Sequence, residues 1–115
     1  MKQTVFFQTL SDETRLRALV LMAGEGELCV CELVSALAIP QPKISRHMAA
    51  MREAEIVTAR RHAQWVFYSI AEDLPGWKRE VLKAAVAGAR GEAIIEQDRQ
   101  RLGAMKDRPE RCPAA

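Results

Sequence analysis

Two cysteines one residue apart, Cys29 and Cys31, are the side chains best suited to chemistry in this chain. Thiolates are soft ligands, and a close pair can grip one soft or thiophilic ion through two bonds. Cys112 is the third cysteine, and an odd set with two near neighbours does not make a disulfide framework. The spacing is CxC rather than CxxC, with no βαβ pattern beside it. No Ser-His-Asp or paired-carboxylate constellation stands out, so an enzyme is not expected. A structural zinc site wants four closed ligands, and His47 and His62 are poorly placed to complete one. Three uses of the pair stay open: ligands for an ion, redox partners of Cys112, or small buried hydrophobes.

A second group of residues suits nucleic acid. Gln41, Lys43, Ser45, Arg46 and His47 crowd the start of a helix whose first turn holds Pro42. Side chains of these types read base edges when a helix enters the major groove. Arg60, Arg61, His62 and Gln64 follow on two strand-like runs, where they suit phosphates or the minor groove. Trp65 and Tyr68 read as hairpin core rather than stacking platforms. Between residues 43 and 61 five cations face two carboxylates, although the formal net charge of the whole chain is only +2.

The elements that must hold these residues follow from pattern. Thr4 to Leu10 suits a short helix. Ser11 reads as the N-cap of the next, with Asp12 and Glu13 in its first turn. Leu16, Leu19, Val20 and Ala23 then repeat at helical spacing, and Gly24 and Gly26 end the run. Glu27 to Cys31 reads as a brief strand, Cys31 to Leu37 as a short helix closed by Ile39-Pro40. A helix from Gln41 has one apolar stripe of Ile44, Met48 and Met51, and Pro42 costs nothing in its first turn. Ile56 to Arg61 and Gln64 to Ile70 form a hairpin around His62-Ala63. Trp77 to Met105 reads as helix, interrupted at Gly88 or Gly91. A helix-turn-helix followed at once by a hairpin is the winged-helix arrangement. The fold class is therefore mainly α with a β-hairpin wing (α+β).

The 115 residues fit one domain, and 49% hydrophobic with 28% charged residues is a globular balance. We expect a DNA-binding and dimerisation domain over residues 1–105 and a flexible tail over 106–115. No run is apolar enough to span a bilayer and no cleavage signal opens the chain, so a cytoplasmic protein without membrane contact is expected.

PQPKISRHMAAMREAEIV followed by ARRHAQWVFYSI resembles the recognition helix and wing of the ArsR/SmtB family of repressors. ELCVCEL is similar to that family's arsenic-site motif. The likeness runs from about Phe7 to Ile70, and beyond it only helical character is shared. The resemblance implies a winged-helix homodimer paired through its terminal helices. It would read double-stranded operator DNA as an inverted repeat with half-sites about 34–36 Å apart, or a multiple. It implies repression when ligand-free and release when trivalent arsenic or antimony binds as inducer, with no organic cofactor. Gln41, Pro42, Ser45 and Arg46 match the DNA-facing segment, and Cys29 and Cys31 match the ligand pair. Trivalent arsenic favours three sulfurs, so Cys112, from the same or the partner subunit, is the candidate third ligand. A small exogenous ligand competes with it.

The same resemblance narrows the inducer. Zinc sensors of the family use Asp, His and Glu on the C-terminal helix, and no histidine follows His62. Cadmium or lead sensors use a cysteine in the N-terminal arm, and Met1 to Leu28 has none. A thiol-redox or other thiophilic-metal repressor on the same fold is the alternative. Four positions depart from the family pattern. Val34 stands where a further cysteine is often found, and Pro40 replaces a capping serine. Glu55 replaces a glycine, at roughly 1–2 kcal/mol if its backbone is left-handed. The wing turn also lacks its glycine. Cys31 near a helix N-terminus favours its thiolate, while Glu27 and Glu32 oppose it. Drawing both sulfurs onto one ion should distort that turn and misplace the recognition helix.

Overall fold

The computed structural model describes residues 1–109, so Cys112 lies outside the described residues. In chain order the elements are α1 (Lys2–Leu10), α2 (Glu13–Glu25), β1 (Leu28–Cys29), α3 (Val30–Leu37) and α4 (Gln41–Glu53). β2 (Val57–His62), β3 (Trp65–Ile70), α5 (Gly76–Ala89) and α6 (Ala93–Ala104) follow. This is the expected winged helix-turn-helix, with α3 and α4 as the helix pair and β2–β3 as the wing.

Local chemistry sets most boundaries. Asp12, not Ser11, caps α2: its carboxylate accepts the Arg15 N–H at 3.1 Å. Ser11 instead closes α1, its own N–H donating to the carbonyls of Phe7 and Gln8. Either residue type caps well, and only the direction of the chain decides between them. Gly26 ends α2 with φ +87, a conformation that suits glycine. At the start of α4 Pro40 offers no side-chain cap, as its chemistry requires.

The end of α4 is a Schellman closure. The Ile56 N–H reaches the Met51 carbonyl at 2.9 Å and the Glu55 N–H reaches that of Arg52 at 3.0 Å. Glu55 therefore has φ +61, the left-handed position where the resemblance placed a glycine. Met51 and Ile56, both fully buried in the same core, hold the motif shut. Ile44, Met48 and Met51 form the buried stripe of α4, as the spacing predicted.

The sheet is antiparallel in the order β1-β3-β2. His62 pairs with Trp65, so the turn residues are Ala63 and Gln64, one position later than His62-Ala63. Ala63 supplies the positive φ, +54, that the turn needs. Gly91 lies in the break between α5 and α6. α6 folds back onto α3 and α2.

One buried polar cluster secures that return. Asp98 is fully buried and accepts from Arg17 at 2.9 and 2.6 Å and from Arg101 at 2.7 Å. The same guanidiniums donate onward to the carbonyls of Leu37 and Ala36, at 2.9 and 2.7 Å. The last turn of α3 is thus held from α2 and α6 together. Among the described residues no helix is long and apolar enough to cross a membrane.

Two substitutions test this account by urea unfolding. Asp98→Ala strands the Arg17 guanidinium and should cost about 3–5 kcal/mol. Glu55→Gly relieves a left-handed residue and should add about 1 kcal/mol.

Candidate thiol site and nucleic-acid interface

Cys29 is the last residue of β1 and the N-cap of α3; Cys31 sits in the first turn of that helix. This brings the two sulfurs face to face, 2.7 Å apart. Cys29 is 1% exposed and Cys31 half-buried, so Cys31 is the open side of the pair. Two sulfurs held at about 2.3 Å by one ion would stand roughly 3.5–3.8 Å apart. One ion can therefore bond both sulfurs with little movement of the chain, and it would sit at a helix cap.

That cap is reciprocal. The Glu32 N–H points at the Cys29 sulfur, and the Cys29 N–H donates to Oε1 of Glu32 at 2.9 Å. A residue three positions after the cap normally closes such a box on a hydroxyl; here the acceptor is sulfur. Glu32 is fully buried, and its Oε2 accepts from Nε of Arg108. Arg108 also donates to Glu25 at 2.9 Å, so the segment after α6 lies over the start of α3. The Cys29-x-x-Glu32 spacing was a legible sign of this box, whereas nothing near Arg108 announced its partners.

Burial pushes the Cys29 thiol from its ordinary value near 9 up to about 12, with the Cys31 hydrogen bond and the Glu32 charge acting in the same direction. The Glu32 N–H works the other way and loses. Among the described residues no group of three or more His, Cys, Asp or Glu could hold a metal ion.

On the reading helix, Gln41, Pro42, Lys43 and Arg46 are exposed in the first turns of α4, and Ser45 is half-buried beside them. His47 turns back toward α2. Its Nδ1 accepts from Nε of Arg15 at 3.1 Å, and its Nε2 lies 4.0 Å from the Asp12 carboxylate. Burial lowers its pKa despite the nearby Asp12 charge. His47 thus ties α4 to α2 as a neutral acceptor. On the wing, Arg61 and Gln64 are exposed and His62 is half-buried. Arg60 is exposed too, but it is paired on the surface, donating to Glu27 at 2.6 and 2.7 Å with its guanidinium over the Phe67 ring.

This helix pair and wing have counterparts among known proteins. The model of bacterial regulatory proteins of the arsR family matches residues 12–59. The chain is 45% identical over 106 residues to the arsenic resistance transcriptional regulator ArsR1 of Pseudomonas putida, covering 92% of this chain and 81% of that protein. The chain belongs to the arsR family. A second arsR-type relative, the arsenical resistance operon repressor of Escherichia coli, is 43% identical over 69% of this chain and 68% of its own length. Among solved structures, the AntR antimony-specific transcriptional repressor superposes with a TM-score of 0.62 at 26% identity, covering 84% of this chain and 79% of that one. HlyU from Vibrio cholerae gives 0.64 at 31% identity, over 77% and 89%. The fold and family expected from the sequence are those observed.

The raised Cys29 pKa has a direct readout. A thiol that stays protonated is a poor nucleophile, and its thiolate fraction grows with pH. In the folded protein Cys29 should alkylate slowly with iodoacetamide at pH 7–9 and still accelerate toward pH 11. In urea it should react quickly at pH 8, and mass spectrometry separates the two sites. Rapid labelling of Cys29 in the folded protein at pH 7.5 would contradict the buried, protonated thiol.

Proposed function

We propose that this arsR-family chain is a metalloid-responsive repressor rather than an enzyme. As a homodimer it holds an operator inverted repeat while ligand-free, and it lets go when trivalent arsenic or antimony bonds to Cys29 and Cys31. The observation that carries this reading is the pair of sulfurs facing each other at the joint between β1 and α3. The names of the Pseudomonas and Escherichia relatives and of AntR agree with it.

Gln41, Pro42, Lys43, Ser45 and Arg46 form the base-reading end of α4, while Arg61, His62 and Gln64 serve the backbone from the wing. Val5, Phe7 and Trp77 are large apolar side chains left exposed on α1 and at the start of α5. Phe6 and Trp77 meet edge to face at 5.2 Å, so these helices present one continuous apolar face. A second copy covers it. Residues 1–105 are the DNA-binding and dimerisation domain, and the tail carries Cys112 as the third sulfur donor. Cys112 follows Arg108 by four residues, a tether of at most about 14 Å. The protein works in the cytoplasm, where thiols stay reduced.

The switch follows from the cap. Ion binding engages the Cys29 sulfur, draws it off the Glu32 N–H and opens the first turn of α3. α4 packs on α3, so the reading helix loses its seat. Linked sites commonly couple by about 1–3 kcal/mol, a 5- to 150-fold change in affinity. Each bond from a thiol sulfur to the metalloid forms as a metalloid–hydroxide bond breaks, and the thiol proton leaves with that hydroxide as water.

The test is fluorescence anisotropy on inverted-repeat DNA selected by the protein itself. Arsenite should weaken binding tenfold or more. Cys29→Ser with Cys31→Ser should leave ligand-free binding within about threefold and abolish the response. An unchanged arsenite response in that double variant would sink the assignment. Release by peroxide and not by arsenite would favour a thiol-redox repressor instead.

A further inference from the structure

Arg60 sits where a wing arginine would be expected to hold DNA, yet its contacts point to the thiol site. β1 is two residues long, and its two pairings are Leu28 with Tyr68 and Cys29 with Phe67. Phe67 pairs in turn with Arg60 on β2. Directly opposed residues on antiparallel strands share a face, so Cys29, Phe67 and Arg60 form one row across the sheet. Phe67 is 1% exposed although it lies outside the main core cluster, and the Arg60 guanidinium sits 5.0 Å from its ring centroid. Nε and Nη2 of Arg60 both donate to the carboxylate of Glu27, two residues before Cys29.

We propose that the Glu27–Arg60 pair is the strut by which the occupied thiol site displaces the wing, making Arg60 a positioning residue rather than a phosphate contact. The proposal rests on the metalloid-sensor reading above. Half of the β1–β3 pairing involves Cys29 itself, so moving Cys29 onto an ion disturbs a rung of the sheet. Glu27 travels with the same short strand. A bidentate carboxylate–guanidinium pair has a fixed relative orientation, so Arg60 follows and carries β2 with it. The wing tip with Arg61 and Gln64 then leaves its place on the duplex. Glu27 also offsets the Arg60 charge and takes two of its donors, which leaves Arg60 a poor partner for phosphate. This route runs beside the one through α3 and α4, and the two separate by mutation.

The experiment uses the full chain and compares operator affinity with and without arsenite across a salt series. Glu27→Gln should keep ligand-free affinity within about threefold and leave arsenite binding to the DNA-free protein within about twofold. The arsenite-induced loss of DNA affinity should shrink about 3- to 5-fold, the size an ion pair of this exposure supports. Arg60→Gln should shrink it equally while leaving the slope of log affinity against log salt unchanged. A phosphate contact would lower that slope by about one per subunit. The charge-swapped pair Glu27→Arg with Arg60→Glu should restore part of the coupling. Undiminished release in Glu27→Gln, or a reduced salt slope in Arg60→Gln, overturns the proposal while the sensor reading stands. If the wild-type protein itself keeps its DNA in arsenite, the sensor reading fails and takes the strut with it.

Discussion

A sulfur caps α3, the helix on which the proposed switch turns. Ser, Thr, Asp and Asn are the strong N-caps because their oxygens accept well from the first free N–H groups. Sulfur accepts weakly, so Cys29 alone would leave α3 loosely begun. Glu32 supplies the reciprocal bond to the Cys29 N–H, and Arg108 neutralises the buried carboxylate from the far end of the chain. The start of α3 is therefore closed by contacts that involve the Cys29 sulfur itself. Whatever takes the sulfur takes the cap.

The other end of α3 is built differently. Arg17, Arg101 and Asp98 form a buried cluster whose charges and lone pairs are met by each other and by the last carbonyls of the helix. Breaking such a cluster is costly because it leaves a charge without partner in the interior. The helix is thus fastened by a buried charge cluster at its C-terminus and by the sulfur cap with the buried Glu32–Arg108 pair at its N-terminus. In the proposed switch a perturbation between the sulfurs falls on the N-terminal cap, beside β1 and the wing, so that site and reading unit adjoin.

The parts legible beforehand were those with short-range causes. The stripe Ile44, Met48 and Met51, Pro42 in its first turn and Gly26 at the end of α2 each act within a few residues. Even the departure at Glu55 behaved as its position required, since a Schellman closure forces positive φ on whichever residue occupies it. The errors were of two kinds. Ser11 and Asp12 are both good caps, and the turn could sit at His62-Ala63 or Ala63-Gln64, so local propensity left those choices open by one residue. The second kind is tertiary: His47 and Arg60 have partners that no neighbour along the chain announces. A basic or polar residue on a helix or wing looks solvent-facing until its tertiary partner, Arg15 or Glu27, is known.

By itself the sequence determined the order of elements, the winged-helix class, the family and the closeness of Cys29 and Cys31, because periodicity, breakers and CxC spacing are properties of neighbours along the chain. Only the folded chain decided that Arg108 reaches Glu32 and Glu25, that Arg17 meets Asp98 and that Arg60 pairs with Glu27. Those contacts join residues separated by up to some eighty positions, and nothing in a local window encodes which distant charge will meet which. The packing of α6 against α3 and the register of a two-residue strand settled it.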